Sequence, residues 1–428
     1  MSMRILFLSN FYPPLRGGGY AQLCQEVALG LQAHGHRVGI LTSNYKKKET
    51  PADEPDIYRL LQLDGDLFYY HPLDFFLHRR KRQQQNRATL AQVIDDFRPD
   101  ILVVWSLWAL SKTVAALAGR LLPARVVYYL AGYWPIVEDI HTSYWRQPAR
   151  RWLMRLPKRI LGAIALAILA KEDKSPLKFE HALCVSAALR DNLIKQGLPL
   201  QHAQVIHNGI AVEQFLSSSG QEHTRSDASP GRLKLLYAGQ VVHHKGVHTA
   251  VEAMVSLIRE RGVDQLSLTI LGSGHPGYEA ALRARVNREG LHDYITFHDP
   301  VSRDKMPAIL QQFDALVFPS IYEEPLARMT QEAMASGLVV IGTTTGGTKE
   351  LLVDGENGLT FAPENAEELA GQIARLAVDP ELCRRLAAAG RRTVVEKFTI
   401  DRTVKEIEDY LQKIANANSV SHQFLSSL

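Results

Sequence analysis

At 428 residues the chain is too long for one ordinary hydrophobic core, so two domains are expected. Its composition, 46% apolar and 22% charged, is typical of a globular protein and excludes a disordered or fibrous one. The charge is unevenly distributed, because residues 1–210 carry 27 Lys/Arg and 17 Asp/Glu while the remainder carries 22 and 28. The positive first half is therefore the half expected to face an anionic surface or acceptor.

The apolar runs and cysteines indicate where the protein resides. The longest apolar run, residues 160–170, would span about 16 Å of a hydrocarbon layer of about 30 Å. Residues 3–9 are predicted to form a first strand rather than a signal peptide, because a Pro-Pro turn follows them. Cys24, Cys184 and Cys383 are widely separated, as expected for small core residues in a reducing compartment. A cytoplasmic protein is predicted.

In the first half, short apolar runs alternate with segments of helical apolar spacing. This alternation predicts an α/β domain with a doubly wound parallel sheet, covered by helices on both faces. The predicted strands are residues 5–8, 38–41, 101–105, 126–130, 182–185 and 204–206, and the predicted helices are residues 20–33 and 90–97.

After a polar, turn-forming stretch at residues 217–231, the same pattern restarts. Strands are predicted at residues 233–237, 266–271, 295–297, 315–318 and 338–341, and helices at 248–260, 278–288 and around Glu332. A terminal helical pattern at residues 401–415 is expected to pack back on the first domain. The predicted division is a Rossmann-like domain at 1–215, a linker at 216–232, a second Rossmann-like domain at 233–395 and a C-terminal helix at 396–428.

Two glutamates, Glu324 and Glu332, lie eight positions apart around the start of a predicted helix. Pro325 suits the first helical position, and the free N–H groups of that first turn would attract an anion. At 1.5 Å of rise per residue the two glutamates would lie roughly 10 Å apart along the axis. This separation suits one ligand with a sugar at one carboxylate, a ribose at the other and a diphosphate between them.

A second candidate is Lys245, which follows a strand and precedes Gly246 at the start of a helix. A lysine at the carboxyl ends of parallel strands can pair with phosphate oxygens and neutralise a departing diphosphate. The alternative is a surface lysine before a turn. Gly272 and Gly274 follow another strand and would permit close approach to a nucleotide, although a simple turn accounts for them equally well.

Three glycines, Gly17, Gly18 and Gly19, follow the first strand and precede the first helix. They either let a ligand approach a helix N-terminus or form a flexible loop. The loop at residues 343–350 is expected to border the same cleft, where Glu350 could equally be a first-turn helix acid. No nucleic-acid-binding module is visible, and the scattered histidines give no metal-binding cluster.

A basic and apolar segment in the first half leaves two interpretations open. Residues 140–171 contain no acid, and Trp145 and Trp152 are interleaved with the basic residues. Residues 146–170 could lie on an anionic membrane surface, placing the protein at the inner face of the membrane. Alternatively, they form a buried helix with a solvated approach. The basic residues are Arg146, Arg150, Arg151, Arg155, Lys158 and Arg159.

Together these motifs resemble the retaining glycosyltransferases of the GT-B fold, of the family 4 type. The resemblance is carried by residues 17–19, 205–210, 239–246 and 324–358, the last containing Glu-x7-Glu and the glycine loop. It implies two Rossmann-like domains facing a central cleft. The C-terminal domain would hold a UDP- or GDP-linked nucleotide-diphosphate sugar as substrate, and the N-terminal domain would bind a hydroxyl-bearing acceptor.

The resemblance also implies roles for single residues. Glu324 would contact the donor sugar, Glu332 the ribose hydroxyls and Lys245 the diphosphate, with no metal or other cofactor. The sugar would be transferred with its anomeric configuration retained. The implied catalytic residues are Glu324 and Lys245; the donor-binding residues are Gln240, Gly272, Gly274, Pro325, Leu326, Ala327, Arg328 and Glu332; the acceptor-side residues are Gly17, Gly18, Gly19, Gly132 and Tyr133.

Three positions depart from the family pattern. Many relatives have Arg where this chain has Gln240, a His that contacts the donor sugar near Ala131, and an acid at Ala211. The departures at Gln240 and Ala131 favour a second hypothesis, a nucleotide-sugar-binding protein of the same fold that no longer transfers the sugar. A nicotinamide-dependent dehydrogenase is disfavoured, because no G-x-G-x-x-G follows the first strand.

Overall fold

The computed structural model describes residues 2–15, 18–45, 54–66, 69–149, 151–171, 177–216 and 232–426. The chain divides into two α/β units. The first comprises Met1–Val185, Arg190–Ile206 and Val404–Leu428, and the second comprises Ser186–Leu189 and His207–Thr403. Residues 217–231 of the predicted linker lie outside the described residues, so the boundaries predicted at 215, 232 and 395 stay predictions.

The first unit is built on a parallel sheet. Its central strands are buried along nearly their whole length, as continuous apolar runs in a sheet covered on both faces require. The strands are β1 (Arg4–Ser9), β2 (Arg37–Ser43), β3 (Ile57–Leu61), β4 (Ile101–Ser106), β5 (Val126–Leu130), β6 (His181–Cys184) and β7 (Gln204–Val205), in the order β3-β2-β1-β4-β5-β6-β7.

Helices cover this sheet, and the last one returns to it from the far end of the chain. Glu408 accepts from the rings of His34 and His36 at 2.8 and 3.0 Å, which anchors the terminal helix as predicted. The helices are α1 (Gly19–Ala33), α2 (Pro72–Leu77), α3 (Arg79–Phe97), α4 (Thr113–Leu121), α5 (Ile140–Arg146), α6 (Arg155–Lys171) and α7 (Ala187–Lys195), and the terminal helix spans Ile400–Ser426.

The second unit repeats the architecture around its own apolar core. Its strands are β8 (Leu233–Ala238), β9 (Leu266–Leu271), β10 (Ile295–His298), β11 (Ala315–Phe318), β12 (Val339–Gly342) and β13 (Leu359–Thr360), in the order β10-β9-β8-β11-β12-β13. Its helices are α8 (Val247–Val255), α9 (Pro276–Arg288), α10 (Met306–Leu310), α11 (Arg328–Ala335), α12 (Ala366–Val378) and α13 (Pro380–Lys397), which makes the terminal helix α14.

Strand order fixes where ligands can bind. In the first sheet the direction of strand addition reverses between β1 and β4, and in the second it reverses between β8 and β11. At such a point the two connections leave in opposite directions and open a crevice at the carboxyl ends of the strands. The loop after β8, residues 239–246, and the loop after β11, residues 319–327, are therefore neighbours.

The predicted start of one helix is wrong. The helix that carries Glu332 begins at Arg328, with Ala327 in extended conformation as its N-cap, so Pro325 is not its first residue. The carbonyl groups of Glu324 and Pro325 accept instead from Gly347 N and Ser186 Oγ. The axial spacing inferred for the two glutamates therefore does not hold, because Glu324 lies in the preceding loop. The helix predicted at residues 248–260 does reach Glu260, but its last turn, Ser256–Glu260, is π-helical rather than α-helical.

Candidate functional site

Lys245 and Glu324 meet at the crevice of the second sheet. Lys245 Nζ donates to Glu324 Oε1 at 2.6 Å, and Ser320 Oγ donates to the same oxygen at 2.6 Å. Glu324 is buried, whereas 23% of the Lys245 side chain is exposed. An ammonium group has three donors, so Lys245 keeps donors for a second partner while it neutralises the carboxylate.

Backbone contacts hold the two loops in this arrangement. The carbonyl of His244 accepts from Ile321 N and Tyr322 N at 3.0 and 3.1 Å. Gly246 adopts a left-handed φ of 67°, and a Cβ atom there would lie 1.9 Å from the carbonyl oxygen of Pro319. The glycine is therefore required by conformation and by space. As predicted from the sequence, it opens α8 directly after Lys245.

The Tyr322 ring completes one wall of this region. Lys245 Nζ lies 5.4 Å from the ring centroid, within the range of a cation–π contact. Burial, together with the nearby Glu324 carboxylate, raises the pKa of the Tyr322 phenol to about 12. The phenol therefore stays neutral at physiological pH and can donate a hydrogen bond.

Glu332 occupies the second turn of α11 and is fully buried. Its Oε1 pairs with the guanidinium group of Arg303 and lies 3.8 Å from Arg328 Nε. Among the described residues, no hydrogen-bond partner reaches Glu332 Oε2. Arg303 is partly exposed, whereas Glu332 is fully buried. A ligand hydroxyl can therefore reach Glu332 only if the Arg303 side chain moves aside.

The N-terminus of α11 faces the same crevice without a capping side chain in the described part of the chain. The first N–H groups of a helix have no partner within the helix and carry a partial positive charge. Leu326 and Ala327 are buried just before it, and Arg328 is its first residue. This end of α11 can therefore accept an anionic group beside Lys245.

The loop at residues 343–350 packs on the Glu324 loop. Cβ atoms at Gly346 and Gly347 would lie 2.2 and 2.0 Å from the carbonyl oxygens of Glu324 and Pro325. Glu350 accepts from Ala187 N, Ala188 N and the His207 ring at 2.8–3.1 Å. Burial alone would raise the pKa of Glu350, but these donors lower it below its usual range. Glu350 therefore holds residues 187 and 188 rather than the first turn of its own helix.

Gly272 and Gly274 are explained by contact between two loops. A Cβ atom at Gly272 would lie 1.9 Å from Gly239 O, and one at Gly274 would lie 2.2 Å from Val241 O. These contacts explain both glycines through packing, and their donor-binding roles stay predictions. Gln240 is exposed beside them, at the position where many relatives carry Arg.

The acceptor-side residues predicted from the sequence belong to the first unit. Gly17 lies outside the described residues, whereas Gly18 is the N-cap of α1 with a φ of 77° and Gly19 is its first residue. Gly132 and Tyr133 form the turn after β5, and the Tyr133 carbonyl accepts from Ile136 N and Val137 N. The structure thus places these residues beyond the carboxyl ends of β1 and β5.

Sequence reasoning missed Ser320 and Arg303. Ser320 lies in the Glu324 stretch, but a serine after a strand is too common to single out. Arg303 lies 29 positions before Glu332 in a short 3₁₀ turn, and no sequence spacing connects them. Within the described ranges, no group of His, Cys, Asp or Glu has the arrangement of a metal site.

Comparison with known proteins gives two family matches that together cover most of the chain. Residues 17–214 match the model described as Glycosyltransferase Family 4, and residues 220–393 match Glycosyl transferases group 1. A glycogen synthase of Mycobacterium tuberculosis is 26% identical over 411 residues, covering 92% of this chain and 91% of that protein.

Solved structures support the same fold. The sucrose-phosphate synthase of Thermosynechococcus elongatus superposes with a TM-score of 0.70 at 18% identity, covering 96% of this chain and 99% of its own. The Anabaena protein HepE, solved in complex with UDP-glucose, gives a TM-score of 0.62 at 18% identity and covers 98% and 100%. Two Rossmann-like units with parallel sheets, as predicted, are the GT-B fold.

Proposed function

Since this chain belongs to the group 1 glycosyltransferases of the GT-B fold, we propose that it transfers a sugar from a nucleotide-diphosphate donor to a hydroxyl acceptor. We further propose that the transfer needs no metal ion and retains the anomeric configuration. The single observation that carries the donor assignment is the Lys245–Glu324 contact of 2.6 Å at the crevice of the second sheet.

The chemistry follows from the charges at that crevice. Breaking a sugar–phosphate bond builds negative charge on the diphosphate and positive charge on the ring. In this proposal Lys245 and the N–H groups at the start of α11 stabilise the leaving group, the role that a metal ion fills in other enzymes. Glu324 keeps one carboxylate oxygen for the sugar hydroxyls, and Glu332 Oε2 accepts from the ribose once the Arg303 side chain has moved aside.

Retention is proposed from the family resemblance and from the separate environments of the two glutamates. Glu324 pairs with Lys245 and Ser320, whereas Glu332 pairs with Arg303, so the carboxylates serve different parts of the site. They do not form the adjacent pair that a retaining hydrolase uses. Front-side displacement, in which the departing phosphate receives the acceptor proton, needs no protein nucleophile.

A binding protein without transfer activity is the second candidate. It is favoured by Gln240, which is exposed and uncharged, and by the replacement of the family His near Ala131. Arg328 could supply the missing positive charge, because it is the first residue of α11. The two candidates differ in turnover rather than in affinity for the donor.

One experiment separates them. The protein is incubated with UDP-glucose, the ligand of the Anabaena structure, and with other UDP- and GDP-linked sugars, with and without a mixture of hydroxyl acceptors. We expect acceptor-dependent release of nucleotide that persists in excess EDTA, and a product of retained configuration by NMR. Donor binding without release would favour the second candidate, and loss of release in EDTA would contradict metal independence.

A membrane surface is proposed as a further partner through α6 and the residues before it. No helix among the described residues is long and apolar enough to cross a bilayer. The buried-helix interpretation of this segment is wrong, because Gly162 and Ala165 are the buried residues of α6. Its outer side exposes Leu156, Ile160 and Ile164, one helical turn apart, at 67%, 55% and 49%.

Basic residues surround this exposed apolar stripe. Trp152 and Leu153 precede it with exposures of 74% and 67%, and Arg151, Arg155 and Arg159 are exposed among them. A helix with exposed apolar and basic residues binds the interface of an anionic bilayer. We propose that this side of the first unit holds the protein on the inner face of the membrane as a peripheral protein.

Neutralising Arg151, Arg155 and Arg159 with Gln is expected to weaken binding to phosphatidylglycerol vesicles by about a hundredfold, since each surface arginine contributes about 1 kcal/mol. Co-sedimentation measures the binding, with phosphatidylcholine vesicles for comparison. The matched control neutralises Arg283, Arg384 and Arg391 of the second unit and should bind as the wild type does. Equal binding of both triple variants to phosphatidylglycerol vesicles would contradict the membrane proposal.

A further inference from the structure

The first unit contains a cavity of about 840 Å³ that the donor site does not use. This volume lies within the range of about 300–1,000 Å³ that is typical of small-molecule sites. Part of its wall is the loop after β4, residues 107–112, beside the point where the first sheet reverses its strand order. The cavity therefore begins where an open parallel sheet binds ligands.

The cavity also extends along the sheet. Its walls include residues 134–142 after β5, and they also include Phe179 before β6 and Leu198 before β7. In a parallel sheet, segments that follow strands lie at the carboxyl edge and segments that precede strands lie at the amino edge. Leu166 and Leu169 of α6 line the intervening wall. The walls therefore come from both edges of the sheet and from α6, and apolar residues are the majority among them.

Two polar atoms in the walls point to a ligand. His141 is 2% exposed, its Nδ1 contacts Tyr70 Oη at 2.8 Å, and no partner reaches its Nε2 within the described residues. Trp134 is 6% exposed, and its Nε1 also has no partner among those residues. Buried polar groups are rarely left without a partner, since each costs free energy. Burial lowers the pKa of His141 to about 4, so the ring is neutral.

The charged groups of the walls are balanced and occupied. Lys112 Nζ donates to Pro135 O at 2.6 Å, Arg146 pairs with Glu138, and Asp139 caps α5. The Arg79 guanidinium group lies over the Phe75 ring, and Asp64 already has an interaction partner within the protein. The walls thus carry three cations and three acids, so their formal charges balance. A neutral ligand with an apolar body and one or two hydrogen-bonding groups fits these walls better than an ion does.

We propose that this cavity binds an alcohol with a long apolar body, and that the hydroxyl group of this alcohol bonds to His141 Nε2. In naming this alcohol as the sugar acceptor, the inference rests on the proposed function. The same chemistry occurs in a free alcohol and in a lipid alcohol drawn from a bilayer. The exposed apolar stripe of α6 lies on the same helix as the cavity-lining Leu166 and Leu169.

Fluorescence quenching by ω-bromoundecanol tests the site without any sugar transfer. In a Trp152→Phe background, which removes the exposed tryptophan of the apolar stripe, the probe should quench Trp108 and Trp134 at the cavity wall in a saturable manner. The probe is offered in solution and, separately, in neutral vesicles. Saturation in solution identifies a free alcohol as a source, and saturation from vesicles alone identifies a bilayer lipid.

Two arginine substitutions on α6, one in the cavity wall and one outside it, form a matched pair. Leu169→Arg puts a charge into the cavity wall and should weaken binding of the probe at least about tenfold. Ile164→Arg lies on the exposed stripe outside the wall and should leave binding in solution unchanged. Thermal unfolding identifies a variant that has not folded. Equal effects of the two arginines, or none from Leu169→Arg in a folded protein, would overturn the proposal.

Two variants of His141 test the proposal even if Leu169→Arg does not fold. His141→Asn retains an atom at the Nδ1 position for Tyr70 and removes Nε2, whereas His141→Gln retains an atom near Nε2. We expect Asn, but not Gln, to weaken ω-bromoundecanol about fivefold, and neither to change binding of undecyl bromide, which lacks the hydroxyl. Unchanged affinity of the alcohol in His141→Asn, or equal losses for both probes, would contradict the hydroxyl contact.

Failure of this site and failure of the proposed function are distinguishable. Absence of quenching in both presentations, with nucleotide release intact, refutes the cavity assignment alone. Saturable quenching in a protein that releases no nucleotide supports binding of an alcohol in the cavity. It contradicts only the assignment of that alcohol as the sugar acceptor.

Discussion

Replacement of Lys245 by Ala is expected to lower turnover by about a hundredfold to a thousandfold, the loss typical of removing one preorganised donor from a developing charge. Lys245 is the cation that contacts Glu324 at the crevice, and under the proposed function its loss removes charge stabilisation from the departing diphosphate. Initial rates of nucleotide release at saturating acceptor measure the effect. Glu324→Gln should cause a loss of similar size, because the amide cannot hold Lys245 as the carboxylate does.

Folding must be separated from catalysis, because Glu324 is buried and loses its counter-charge in Lys245→Ala. Breaking such a pair from one side destabilises a protein more than removing both partners does. The double variant Lys245→Met/Glu324→Gln should therefore unfold at a higher temperature than Lys245→Ala and still be inactive.

The matched controls are Lys234→Ala and Glu323→Gln. Lys234 lies at the amino end of β8, the strand that precedes the Lys245 loop, and Glu323 is an exposed neighbour of Glu324. Both should keep at least about half of the wild-type rate, since surface changes away from a site cost little. Wild-type turnover in Lys245→Ala and in Glu324→Gln would refute the site assignment.

Gly246→Ala is expected to destabilise the second unit by about 3–5 kcal/mol. The left-handed φ of 67° accounts for about 1–2 kcal/mol, and the rest comes from overpacking against Pro319 O, 1.9 Å from the added Cβ. For a unit of this size the unfolding midpoint should fall by about 10 °C. The rate should fall as well, because the Glu324 loop must move away from the Lys245 loop.

Gly262→Ala is the control that separates strain from collision. Gly262 has nearly the same φ, 65°, and a Cβ atom there meets no atom within 4 Å. Its unfolding midpoint should fall by about 5 °C or less with activity retained. If both variants lose the same stability and activity, the contact between residue 246 and Pro319 is not what holds the two loops together.

The position of Lys245 and Glu324 at one edge of the second sheet could be predicted because each follows a strand. Lys245 and Glu324 come after apolar runs that were recognised as strands, and strand order places those loops at one crevice. The contact between the two side chains was not predicted. A separation of 79 positions leaves no spacing that a periodicity argument can use.

The start of α11 shows where local signals are not sufficient. Pro325 has the conformation that favours a first helical residue. The carbonyls of Glu324 and Pro325 nevertheless bond to Gly347 and Ser186, which are far away in the sequence. Tertiary contacts of this kind decide helix bounds and remain invisible to local propensity. The same holds for Arg303, whose pairing with Glu332 depends on how a short turn folds.

By itself the sequence determined the fold class, the repeat of two parallel sheets and the family motifs, because strand-and-helix alternation and glycine-bearing loops are local in the chain. Only the tertiary structure decided that Glu332 is buried and paired with Arg303. It also decided that α6 exposes Leu156, Ile160 and Ile164, and that a cavity with His141 in its wall lies beside that helix. Burial and the pairing of charges depend on which distant segments pack together, and this information is not contained in any single stretch of residues.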